Sequence, residues 1–209
     1  MARNLKVLGL AIAAVMAMGA LSASAASAAN FTAAEYPVTI HAEGGGSETF
    51  HTLAGDVVCN TSTFSGSATG ASETLTVHPE YSDCKVFGIL NSTVDTTGCN
   101  YIFHTGSGSG DNWTATVSVS CGSGSSIKVT AATCAAEIKS TGQLSSVDLI
   151  NNTGAGDVEV NPTVGGIPYT VTKDGLGCGF GKVGEERSDG TYTATKNITV
   201  TGTSAIDVG

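Results

Sequence analysis

Six cysteines, four histidines, one tryptophan and a scatter of carboxylates are the residues of this chain with chemistry to offer. His41, His51, His78 and His104 would suit a hydrolase or a metal site, since imidazole exchanges protons near neutral pH and ligates metals. Each falls in a separate strand pattern or at its end, and none stands at ligand spacing from another. His41 and His78 fall on the polar side of their strands, which reads as solvent-facing imidazole. Glu185 and Glu186 sit in a turn-like stretch with Arg187, Ser188 and Asp189. Glycosidase chemistry needs two carboxylates facing across a bond, and calcium needs a regular oxygen spacing, so this stretch reads as a solvated loop. A nucleophile elbow requires Gly-x-Ser-x-Gly, but Gly106 to Gly110 has Gly108 at its centre, and Gly122 to Ser126 lacks the last glycine. A phosphate loop would need glycine where Leu176 stands, ahead of Gly181 and Lys182. No cofactor and no metal site are implied, and the chain reads as a protein without catalytic machinery.

Two clusters suit binding instead. Asp111, Asn112 and Trp113 at a hairpin tip would offer an indole face for stacking on a sugar ring, with an amide and a carboxylate beside it for hydroxyl groups. Tyr81 beside Glu80 and Asp83 is the second cluster. Against the first, Trp113 is in register with Ala115 and Val117, which places it on the core face of its strand.

The cysteines are structural on this reading. Cys59, Cys84, Cys99, Cys121, Cys134 and Cys178 form no Cys-x-x-Cys pair and have no histidine close enough to complete a zinc site. An even number, in an oxidising compartment, suggests three disulfides. Hairpin patterns around Gly66 to Ser72 and around Thr105 to Asp111 bring Cys59 toward Cys84 and Cys99 toward Cys121, which leaves Cys134 for Cys178.

The elements that carry these residues are strands. Trp113, Ala115, Val117 and Val119 alternate with Thr114, Thr116 and Ser118, and the same period of two recurs in Val38 and Ile40, Val147 and Leu149, and Tyr169 and Val171. About ten or more short strands, rich in Thr and Val and separated by Gly, Asn, Asp and Ser, predict an all-β fold. Short connections without crossover helices make the pairing antiparallel, and the strands must close into a sandwich or a barrel. The expectation is an antiparallel, disulfide-stabilised β-sandwich. Gly106 to Gly110 reads as a hairpin tip within one domain, residues 29–209.

Residues 1–28 have the order of a secretory signal peptide: Arg3 and Lys6, an apolar run from Val7 to Leu21, then small residues with a cleavage site expected after Ala28. The apolar run, about 15 residues, is short of the roughly 20 that a spanning helix needs, so no membrane span is expected after cleavage. The whole chain has 9 Lys plus Arg against 18 Asp plus Glu, a net charge of −9, and loss of Arg3 and Lys6 makes it −11. Such a surface repels nucleic acid and anionic lipid.

Phe31 to Ala33 with Tyr36-Pro37, Val58-Cys59, Thr63 to Gly66, Leu75 to Val77 with Tyr81 to Cys84, Gly98 to Tyr101, and Tyr169 to Gly175 before Cys178 together resemble a group of exported proteins of soil actinobacteria. The resemblance covers essentially the whole chain. It implies export and a shared fold and carries no functional residue across, because the group has no established activity. Three functions are weighed, in this order: a secreted or cell-envelope protein acting through its stable surface, a glycan- or small-ligand-binding module, and a hydrolase of unrecognised type.

Overall fold

A computed structural model describes residues 29–209 apart from 45, 54, 177 and 195–197. The proposed signal peptide, residues 1–28, lies outside the described residues. The period-two pattern forms strands throughout. β1 (Phe31–Ala33) and β16 (Ile206–Val208), from opposite ends of the described chain, pair with each other as a small sheet of their own.

The other strands make a barrel of eight long walls, several of them built from two strands laid end to end. β2 (Val38–Glu43) and β3 (Glu48–Thr52) follow one another along one edge of β4 (Gly55–Ala68) and so act as halves of a single wall. β4 forms a continuous hairpin with β5 (Thr74–Val86). The next walls are β6 (Leu90–Asp95) with β7 (Cys99–Ser109), and β8 (Asn112–Cys121) with β9 (Ile127–Ala131). They are followed by β10 (Cys134–Ile138) with β11 (Ser146–Asn152), β12 (Asp157–Asn161) with β13 (Thr163–Asp174), and β14 (Glu186–Ala194) with β15 (Ile198–Gly202). Every wall runs antiparallel to its predecessor. Pro162, which has no N–H to give to a ladder, marks the break between β12 and β13.

The last wall pairs with the first: Thr191 to Ala194 lie against His51 to Glu48, and Thr199 to Gly202 against Glu43 to Ile40. The all-β, antiparallel, disulfide-stabilised architecture expected from the sequence is present. It differs from an open sandwich at the edges, because the edge walls satisfy each other's N–H and C=O groups and close the layers into a barrel.

Alternation sorts the side chains. Val38, Ile40 and Ala42 point inward and are buried, while Thr39, His41 and Glu43 point outward. Phe31, Ile206 and Val208 of the small sheet pack onto the interior at one end. At the other end Phe180, 1% exposed, lies against Phe87 with ring centroids 6.0 Å apart.

Cys59 and Cys84 are directly opposed on β4 and β5, and Cys99 and Cys121 on β7 and β8, and both pairs are bonded. Cys134 is bonded to Cys178, which anchors the connection between β13 and β14 beside the Phe180 end. Three such bonds are consistent with an oxidising environment. Replacing Cys99 and Cys121 together by serine is expected to lower stability by roughly 2–4 kcal/mol, through the added freedom of the unfolded chain. Urea denaturation of oxidised protein and double variant checks it, and coincident curves would refute it.

Candidate functional site

An eight-stranded barrel has an interior just wide enough either to be filled by side chains or to hold one small ligand. Here a cavity of about 100 Å³ remains at mid-barrel, well above the roughly 10–15 Å³ that one water molecule requires. Aliphatic side chains from most walls line it, together with the rings of Phe50, Phe64, Tyr81, Tyr101, Phe103 and Tyr192 and a single carboxylate, Glu48. A second apolar hollow of about 70 Å³ lies beneath β1 and β16. The two share Phe64, Phe103 and Val160 as lining.

Glu48 opens β3 and is in register with Phe50, so alternation turns it inward, where it is 1% exposed. Its carboxylate accepts hydrogen bonds from the Ser62 hydroxyl at 2.9 Å and from the Tyr192 hydroxyl. The Tyr81 and Tyr101 hydroxyls meet at 3.0 Å. Phe64 stands edge-on to Tyr81 with centroids 6.1 Å apart, and Tyr81 lies 6.3 Å from Tyr192. Burial raises the Glu48 pKa above the ordinary glutamate range, and the hydrogen bonds from Tyr192 and Ser62 offset this only in part. Burial likewise pushes the Tyr101 phenol up to about 12, and those of Tyr81 and Tyr192 well above the usual tyrosine range. All three phenols therefore stay protonated at neutral pH.

The barrel wall has a gap beside this cluster. Along one edge of β5, pairing with β7 ends at Val77 and pairing with β6 begins only at Cys84. Between them Pro79 has no N–H to donate. Side chains bridge the gap instead: Thr96 Oγ1 donates to the Pro79 carbonyl at 2.6 Å, and His78 Nδ1 to the Cys99 carbonyl at 2.9 Å. An outer groove of about 480 Å³ opens here, with His78, Glu80 and Asp95 among its lining residues. Tyr81 and Val94 line both the groove and the inner cavity, so these two side chains stand at the boundary.

The residues singled out from the sequence are distributed otherwise than their spacing suggests. Tyr81 sends its hydroxyl inward, whereas Glu80 and Asp83 are exposed; Asp83 takes φ 50°, which breaks the alternation between Tyr81 and buried Cys84. Trp113 is half-buried near the β1–β16 end, and its indole N–H donates to the Gly110 carbonyl at 2.8 Å. Its ring lies against Gly108, where a Cβ would come within 2.6 Å of it. Asp111 and Asn112 are exposed at the same tip. Glu185 and Asp189 both hold Arg187, at 2.8 and 3.0 Å.

One arrangement has no sequence signature. His51 Nδ1 lies 3.0 Å from Asp56 Oδ1, and its Nε2 lies 3.0 Å from Thr193 Oγ1, a residue 142 positions away. A hydroxyl, an imidazole and a carboxylate in this order resemble a nucleophile relay. They stand on the outward face of β3, β4 and β14, with Glu48, Phe50, Val57 and Tyr192 occupying the inward positions between them. Cross-strand polar pairing on a solvated face accounts for the contacts. Among the described residues, no group of three or more His, Cys, Asp or Glu side chains is placed to hold a metal ion. Comparison with protein-family models, curated proteins and solved structures finds no match for the chain.

Because the folded state raises the Glu48 pKa, the stability this group contributes is complete at acid pH, below its unfolded value, and is lost as pH rises through its folded value. Glu48→Gln stays neutral throughout. Urea titrations across pH 4 to 8 are expected to show the wild type losing stability relative to the variant as pH rises. Parallel pH profiles would show that the carboxylate is not desolvated.

Proposed function

We propose that this chain is an exported, non-catalytic binding module that takes a small, mainly apolar molecule into its barrel. The observation that carries this reading is the cavity at Glu48: the centre of the interior is left open and is lined by six aromatic rings around one polar cluster. Pockets for small ligands have this composition, a largely hydrophobic wall with few placed polar groups. Export is supported by the signal-like order of residues 1–28 and by the three disulfides. The outward positions of β2, β5, β9 and β11 carry mainly hydroxyl, amide and charged groups, the inverse of a lipid-facing barrel. The bonds already made by Trp113 within its hairpin favour the interior over the Asp111 to Trp113 tip.

The test is a thermal-shift and calorimetric screen of the oxidised mature protein against small aromatic and aliphatic alcohols, run beside a glycan array. Saturable binding of the small probes with a rise in melting temperature is expected. Binding only to glycans, with a change in Trp113 emission, would move the site to the hairpin tip. No binding in either arm would return the protein to a surface or structural role.

A further inference from the structure

A buried carboxylate needs a compensating charge or must give up its own. Glu48 has two hydroxyl partners, Ser62 and Tyr192, and no ion pair with a cationic side chain among the described residues, where His41, His51 and Arg187 pair with other acids. The cavity that Glu48 lines is also lined by the rings of Phe50, Phe64, Tyr81, Tyr101 and Tyr192. A carboxylate inside a set of aromatic rings is the arrangement that receives an ammonium group, since ring faces attract cations and the carboxylate supplies the counter-charge.

The approach is of the same sign. Glu80 and Asp95 flank the outer groove, and Tyr81 with Val94 separates it from the cavity. Lys128 of β9 lies directly opposite Asp95 of β6 and acts on its carboxylate, so the negative sign of the groove rests mainly on Glu80. Against a background of net charge −9, such a groove concentrates cations at its mouth.

We propose that the ligand is a small organic cation: an amine with a compact apolar body, entering at the break between β5 and β6–β7, with its ammonium on Glu48 and its body among the rings. This rests on the binding reading above and names the class of molecule bound. It makes Glu48 the determinant of specificity and Tyr81 the residue that must turn aside for entry.

Benzylamine and benzyl alcohol, alike in shape but the first cationic and the second uncharged at neutral pH, separate the possibilities by isothermal titration calorimetry with the oxidised mature protein. Benzylamine is expected to bind roughly tenfold or more tightly than the alcohol, and Glu48→Gln to abolish the difference. Equal binding of both probes would overturn the cation proposal and leave the small-molecule reading standing, whereas binding of neither would overturn both. A preference that survives in Glu48→Gln would remove Glu48 from the site. If that variant does not fold, Tyr192→Phe keeps the ring and strips one hydrogen bond from the carboxylate. It is expected to weaken benzylamine severalfold and leave the alcohol unchanged, and equal weakening of both would overturn the proposal.

Discussion

A β-meander has two free edges, and in this chain they belong to β2–β3 and β14–β15. Their mutual pairing, through Glu48 to His51 with Ala194 to Thr191 and through Ile40 to Glu43 with Gly202 to Thr199, supplies the ladder bonds that either edge would otherwise lack. Closure has a second effect. It fixes the number of walls at eight, and with it the diameter of the interior. The same junction carries Glu48 and Tyr192 on facing strands, so the seam that completes the barrel also assembles its polar cluster.

The diameter alone does not leave a hollow. Val57, Val117, Val119, Ile127 and Val129 are short for the space they face, and protein interiors are ordinarily packed to the density of organic crystals. The tyrosine rings are tied at the cavity margin by their hydroxyls. Tyr192 is held on Glu48, and Tyr81 on Tyr101. Hydrogen bonding among the phenols thus keeps the rings standing around the cavity, and the apolar walls keep the polar contacts few.

Much of the fold was legible. Strand type, antiparallel pairing and inward faces follow from a period of two that any wall displays, and two of the disulfides follow from residues facing each other across hairpins. Closure was not, because the pairing of Thr199 with Glu43 joins positions far apart in the chain and leaves no local mark. The site was legible only in fragments. Glu48 in register with Phe50 was the available signal for an inward carboxylate, while the contact of Tyr192 with it depends on the closing seam. Tyr81 was noticed for neighbours it does not have: Glu80 falls on the outer face by alternation, and the left-handed backbone at Asp83 turns that residue out as well.

A purely structural barrel has little use for Glu48. An uncharged amide of similar volume on the same strand would avoid the desolvation that raises its pKa while still accepting the hydroxyls of Ser62 and Tyr192. The break beside β5 points the same way, since a wall built only for stability gains from a continuous ladder, whereas here Pro79 prevents one and Thr96 and His78 bridge the gap with side chains. Costs of this kind, set together at one cavity, are what the proposed binding role accounts for: it would use a polar group held out of water until a ligand meets it, and a place in the wall where the ligand passes.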